Sequence, residues 1–472
     1  MSTLKVGEIK HENFTGTTQL KLDNSGQLGI GKTPGVLLDV NADAKINSVS
    51  IGKGANSVAS NTVLGVTALD AAVTGGNNTA IGKDALSADT SGDSNTAVGA
   101  ETLEDNTTGS HNTAIGKDAL RENTTASHNT ALGSSALNAN TTGTQNTAVG
   151  SLSLSTNTTA GDNTAVGYLS LYLNTTGNSN TAIGHQVMLA NTTGVQNTAV
   201  GRAALDANTT ANNNTAVGYS ALTANTTGTR VVAVGMNALA SNTTANDNVA
   251  VGNNVLDANT TGTANVGVGY FVLSDNTTAS DNTGLGHKTL AANTTGARNT
   301  AIGRSALTAN TTANRNTAVG VYSLTTNSTG TYNTAVGDSA LFANTTANNN
   351  TAVGSSSLAA NTTGVNHVAV GAFALQSNTT GQENTAVGQA ALLNNTTGGT
   401  NCAFGKNALV TNTTASNNSA FGHSALGANT TGAGNVAVGA NALDAATTAS
   451  NNTAVGYEAG TALTTGDNTV AV

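Results

Sequence analysis

Glycine recurs at a constant spacing of 17 residues, 24 times, from Gly65 to Gly456, without a single insertion or deletion. Unrelated loops or a disordered tract would drift in length. A stack in which every copy docks in register on the previous one cannot. Numbering the unit from Asn214 to Arg230 as columns 1 to 17 puts asparagine at 1, threonine or valine at 2 and alanine at 3. Column 4 is apolar, 5 is the invariant glycine, 8 is mostly alanine and 9 is leucine or methionine. Asn-Thr-Thr fills columns 12 to 14, and 15 is glycine or alanine.

Columns 1 to 5 read as a short β-branched strand closed by glycine. A helix would meet a glycine and an Asn-Thr-Thr cluster every few turns, against propensity. The one proline precedes the array, so every array residue has an N–H to donate to a ladder. The sequence therefore predicts an all-β chain: a parallel β-solenoid, or β-roll, of 17-residue coils, one per copy. The column 5 glycines, among them Gly99, Gly116, Gly218 and Gly235, are expected at a turn needing positive φ or close backbone approach. Columns 4 and 9, for example Val98, Leu103, Val217 and Leu222, are expected to form the core, with columns 2 and 4 sharing the inward face. On that reading Cys402, in column 2, fills an inward slot, and the alanine face of column 3 packs against another chain. Column 15 alternates between Gly and Ala (Gly228, Ala245, Gly262, Ala279), which predicts a need for smallness, not for a left-handed backbone, and hints at a duplicated 34-residue ancestor. The Asn columns are expected to stack their amides from coil to coil.

Composition narrows the function classes. Charged residues are 9% and aromatics 3%, with no Trp, so bulky core material is scarce. About two large apolar side chains per coil contribute roughly 1.5–3 kcal/mol each. Ordering the backbone opposes this by roughly 1–2 kcal/mol per residue. A lone coil is under-filled, which favours an oligomer. The net charge of −9 is spread thinly and no basic cluster stands out, which excludes a nucleic-acid footprint on this reading. No apolar run approaches the ~20 residues of a membrane span. The start, MSTLKVGEIKHENF, lacks the apolar stretch of a signal peptide. The single cysteine rules out a disulfide within the chain.

No catalytic constellation recurs. His185, His287 and His423 occupy column 6, and His111 and His128 occupy column 17 of successive coils. A metal site there would need a second ligand type at matching spacing, and none repeats. The carboxylates keep no repeated geometry for acid–base work. The NTT triplets match the N-glycosylation pattern but are read as structural columns. Columns 6 and 7 carry scattered aromatics: Tyr219, Tyr270, Phe271, Phe373 and Tyr457 are the candidate contacts to a surface receptor, with glycan stacking as the chemistry. No catalytic residue, cofactor or metal is assigned, and an enzyme is not expected.

The stretch INSVSIGKGANSVASNTVLG, Ile46 to Gly65, resembles the head repeat of YadA-type trimeric autotransporter adhesins, with the glycine step shortened to 13 between Gly52 and Gly65. NTAVGYSALTANTTG resembles the repeats of bacteriophage tail-fibre proteins. LGIGKTPGVLLDVNADAKI, Leu28 to Ile46, resembles a short module that recurs in them, and STLKVGEI is similar to the start of many virion fibre proteins. These resemblances imply a homotrimeric fibre of the left-handed parallel β-roll type. Residues 1–45 would form an N-terminal β module attaching to other virion or tail proteins, 46–64 a short YadA-like lead-in coil, and 65–472 the shaft. The array stops in mid-strand at Val472, so a distal tip or intramolecular chaperone is expected to be missing. At one strand spacing per coil the array would measure about 115 Å.

The function expected is thus a structural virion fibre in host-cell attachment, made in the host cytoplasm and displayed outside. Its partners would be its own copies, other tail proteins and a host surface glycan or protein, without nucleic acid or membrane insertion. The alternatives are a bacterial trimeric autotransporter-like surface adhesin and an ice- or mineral-binding solenoid using threonine columns such as Thr226, Thr243 and Thr260.

Overall fold

The computed structural model describes residues 8–9, 20–22, 28–30, 38–40 and 43–472. Among them there is no α-helix, only a single 3-10 turn at Ala55–Ser57. Near the N-terminus, β1 (Glu8–Ile9), β2 (Leu20–Leu22), β3 (Leu28–Ile30) and β4 (Leu38–Val40) make a four-stranded sheet. Its first two pairings are antiparallel, and β3 runs parallel to β4. Most of the expected attachment segment lies outside the described residues.

The lead-in differs from the expected short coil. β5 (Ala44–Ile46), β6 (Val49–Gly52) and β7 (Thr62–Gly65) pair antiparallel in succession. The reason is connection length. Nine residues separate β6 from β7, whereas 12 to 14 separate each array strand from the next. A parallel return needs a dozen or more residues, and a reversing one does not. β5 also begins before residue 46, so this meander starts two residues earlier than the segment boundary read from the sequence.

The chain forms two compact units, residues 1–200 and 201–472. Each carries a parallel β-solenoid with one three-residue strand per coil in nearly every case. In the first unit, Thr96, Ala97 and Val98 pair with Thr113, Ala114 and Ile115. In the second, Thr215, Ala216 and Val217 pair with Val232, Ala233 and Val234. Identical columns therefore stack directly, as the constant period requires.

The inside of a coil is not the one expected. Alanine of column 3 is fully buried in coil after coil, from Ala97 through Ala216 to Ala437. Strand side chains alternate, so columns 2 and 4 face outward. Val98 and Val217 are half-buried, not core, and Ile115 is 41% exposed. Leu103 and Leu222 are core as expected. One large apolar residue per coil, not two, shares the interior with the two alanines of columns 3 and 8 and with Asn of columns 1 and 12. Only the first coil holds a β-branched side chain on the inner strand face, the buried Val63; from Ala80 onward that column is alanine or glycine, as a narrow cross-section requires. Two of the three coils with valine in column 8 show the constraint from the other side. After Val255 and Val272, column 3 of the following coil shrinks to Gly267 and Gly284, whereas Val187 is accommodated beside Ala199. A Cβ on either glycine would lie 2.5 Å from a valine methyl.

Amides complete the interior. The Asn225 Nδ2 donates to the Gly228 carbonyl of its own coil at 3.0 Å, and the Asn242 Nδ2 donates to the Asn225 Oδ1 at 2.9 Å. In column 1, Asn95 Nδ2 donates to the Gly109 carbonyl at 2.8 Å, and the Asn112 backbone N–H donates to the Asn95 Oδ1 at 3.0 Å. Buried polar groups are costly only when unpaired, and here the expected ladders pair them.

Backbone bonds between coils run in both directions. The Ser220 N–H donates back to Arg202, and the Leu222 N–H donates forward to Ala238. Columns 7, 9 and 17 reach this alternation by adopting left-handed φ, as in Ser220 (52°), Leu222 (54°) and Arg230 (58°). A non-glycine residue there costs about 1–2 kcal/mol. Full burial of the leucine offsets this in column 9. Column 17 has no such burial, and Asn, the residue that best tolerates the region, recurs there at Asn213, Asn349 and Asn366. Thr400, with φ of 54°, is a β-branched exception. Thr400→Asn is expected to raise stability by about 0.5–1 kcal/mol, read as a higher urea midpoint.

The glycine–alanine alternation of column 15 has a spatial cause. Its glycines are absent from the left-handed region, as expected, and Ala never occupies the column in two successive coils. A Cβ on Gly109 or Gly228 would lie 2.3 or 2.4 Å from the carbonyl oxygen of the next coil. An alanine fits by shifting its own corner, which a flanking glycine permits.

Candidate interaction surfaces

Three surfaces carry side chains able to contact a partner. The first is the outer strand face. Thr or Val of column 2 and Val, Ile, Leu or Phe of column 4 are half-buried or exposed in every coil, without a charged residue among them. Phe404 and Phe421 stack along it, centroids 5.2 Å apart, and are 38% and 40% exposed. Cys402 lies on this face, half-buried, and not in an inward slot. Partial burial pushes its thiol up, away from the thiolate that reactivity requires.

The second surface is the edge formed by columns 6 and 7. Tyr219 is half-exposed, with the Arg202 guanidinium 5.8 Å from its ring centroid. Tyr270 and Phe271 meet edge to face at 4.5 Å, and Tyr270 stacks on His287 at 5.4 Å. Here the strands lengthen to five residues, Val266–Tyr270 and Thr283–His287, with Tyr270 paired in register to His287. Tyr270, Phe271, His287 and Lys288 line a recess of about 480 Å³. Phe373 and Tyr457 are exposed on other coils, so the five candidate aromatics make one pair and three separate points, not a single site.

The third surface is the corner of columns 14 to 17. His111 and His128 stack there at 5.0 Å, interplanar angle 6°. Among the described residues no group of three or more His, Cys, Asp or Glu is placed to hold a metal. The column 13 hydroxyls are engaged: Thr226 Oγ1 donates to the Thr243 carbonyl at 3.1 Å, and Thr243 Oγ1 to that of Thr260 at 3.2 Å. A hydroxyl committed to the backbone has no proton left for an ordered ice or mineral layer.

Two polar substitutions inside the ladders escaped sequence reasoning. His367 replaces Asn in column 1 and is buried. Its Nε2 bonds the Gly381 carbonyl at 2.7 Å, and its Nδ1 accepts the Asn384 N–H at 3.2 Å. A neutral imidazole protonated on Nε2 thus reproduces both bonds of the missing amide. Burial pushes its pKa down from 6.5 to about 4. Asp89 replaces Asn in column 12, also buried. Its Oδ1 accepts from Asn106 Nδ2 at 2.9 Å and from the Gly92 N–H at 3.1 Å, while Oδ2 has no partner. Burial pushes its carboxyl up from 3.8 to about 7. The signal for both was a titratable residue in a column that is otherwise almost always Asn.

No helix among the described residues is long and apolar enough to cross a membrane. No protein-family model matches the sequence, and among curated proteins none matches it.

Proposed function

We propose that this chain is a structural component of a phage virion fibre, a trimeric shaft that takes part in host attachment. The observation that carries this reading is the outer strand face. Each coil turns two uncharged, mostly β-branched or aromatic side chains outward from a parallel strand and repeats them in register. A monomer would leave that stripe in water on coil after coil. Packing against copies of itself would bury it, and the shared 17-residue period makes every coil of one copy complementary to a coil of the next. The resemblance to tail-fibre repeats supports three as the number of chains. The N-terminal segment would join the shaft to other virion proteins, and exposed side chains at the coil edges would meet the host surface. A sparsely charged, ladder-stitched solenoid suits a part that transmits position and performs no chemistry.

Light scattering on the purified chain tests the assembly. The expected mass is three times 46.2 kDa, and a stable monomer overturns the shaft reading. Antibody labelling of the parent particle tests the location, with label expected on a projecting fibre. Label on a bacterial surface would favour the adhesin alternative.

A further inference from the structure

The cations of this acidic chain are unevenly placed. Residues 282–337 contain Lys288, Arg298, Arg304 and Arg315 and no Asp or Glu, in a chain of net charge −9 with only six arginines. Of the three arginines elsewhere, Arg202 lies over the Tyr219 ring and the other two are neutralised. Arg121 bonds Glu104 at 2.8 Å, and Arg230 grips Asp247 through two contacts of 2.7 and 2.9 Å. By contrast, Arg298 reaches Asp281 only at 3.8 Å. Among the described residues Arg315 makes no ion pair; it lies 5.2 Å from the Tyr332 ring centroid and donates to its hydroxyl.

Arg298, Arg315 and Tyr332 occupy column 17 of three successive coils and rim a recess of about 510 Å³. The recess exists because column 16 drops to Ala297 between Ser280 and Asn314. Its remaining wall is mostly hydroxyl and amide, from Thr278, Thr295 and Thr331 as well as Ser280 and Asn314, with one carboxylate, Asp281, at the end beside Arg298, so that the arginines outnumber it two to one. The geometry points to a binding site for an acidic saccharide, a sugar chain bearing carboxylate or sulfate groups. Two arginines on neighbouring coils, one leaning toward the preceding coil and the other toward the following one, suit anionic groups spaced along a sugar chain. The tyrosine offers part of a ring for a sugar face, the threonine, serine and asparagine wall matches a hydroxyl-rich ligand, and Arg315, on the side away from Asp281, is the guanidinium left for an acidic group. A nucleic acid fits less well. Its affinity rests on many phosphate contacts, and this recess offers two arginines only. The site gives the attachment role a ligand and rests on that reading only for its biological setting.

Calorimetric titration of the full chain with tetragalacturonate, against neutral cellotetraose, tests the proposal. Saturable binding is expected near or below about 1 mM at low salt, with little for the neutral sugar. R298N/R315N should weaken it by about tenfold or more, and Tyr332→Asn by a smaller factor. Asn is native to column 17 at Asn213, Asn349 and Asn366, so these variants keep the fold, which circular dichroism verifies. R202A/R230N removes the same charge elsewhere and should bind like the wild type. No saturation with tetragalacturonate, equal affinity for cellotetraose, equal loss in the control pair, or tighter binding of a short oligothymidylate would each overturn it. None of these outcomes depends on subunit number or location on a particle.

Discussion

Replacing Gly218 with alanine is expected to open its coil, at a cost of about 4 kcal/mol or more. Two independent effects add. Gly218 has φ of 136°, outside the regions an L-residue adopts without strain. The added Cβ would also lie 2.5 Å from the Gly235 carbonyl oxygen and 2.7 Å from its carbon. That backbone cannot retreat cheaply, because the Gly235 N–H is bonded to the Val217 carbonyl at 2.7 Å. The corner would have to swing out, breaking the ladder at the residue that closes the strand. Gly381→Ala in column 15 is the internal control. An added Cβ on Gly381 would also lie 2.4 Å from a carbonyl oxygen, that of Gly398, but Gly381 has ordinary φ and glycine in both flanking coils, the arrangement in which Ala126 is found, so the backbone conformation is what separates the two variants. Its cost should stay within about 1 kcal/mol. Hydrogen exchange resolved by coil would show loss of protection around Gly218 in the first variant and little change in the second. Equal and small effects would mean that column 5 tolerates a side chain, and the solenoid corner described above would be wrong.

The same corner shows what sequence could and could not disclose. The period, the all-β coil, the turn role of Gly99, Gly116, Gly218 and Gly235 and the amide ladders were all legible. Each follows from a residue whose special property is local: glycine lacks a Cβ, and asparagine both donates and accepts. The inside of the coil was not legible. Val98 is larger and more apolar than Ala97, so hydropathy sends it inward, yet from the second coil onward the inner strand face carries nothing larger than a methyl. Size complementarity across the coil decided the question, and that is a tertiary quantity. The left-handed φ of Leu103 left no trace either, because leucine has no preference for that region. The two columns where Asn and Ser recur with positive φ carried the only hint. The basic recess at Arg298 and Arg315 was hidden by totals, since a net charge of −9 says nothing about 56 residues without a carboxylate.

The ladders predict opposite pH responses in the two units. Asp89 has a folded pKa of about 7 against 3.8 ordinarily, so the folded form holds its proton more tightly than the unfolded one. Its contribution is full below pH 3.8, declines as pH rises, and is lost above about 7. The upper limit is about 4 kcal/mol at 1.36 kcal/mol per pH unit. The chemistry agrees: a protonated carboxyl has a donor to replace the absent Nδ2, and an ionised one leaves a bare charge at Oδ2. His367 runs the other way. Its folded pKa of about 4 lies below 6.5, so the unfolded chain takes up the proton first. Its contribution is full above pH 6.5 and falls away toward 4, by up to about 3 kcal/mol. A proton on Nδ1 would abolish acceptance from the Asn384 N–H, the bond that continues the column. Asp89→Asn and His367→Asn each restore the consensus amide. Urea midpoints of each variant minus wild type, taken across pH, cancel every other titration in the chain. The gain from Asp89→Asn should grow between pH 4 and 8 and then level off, while that from His367→Asn should grow between pH 7 and 4. Flat differences for both would show that these side chains are solvated, and the dry amide interior on which the whole coil is built would go with them.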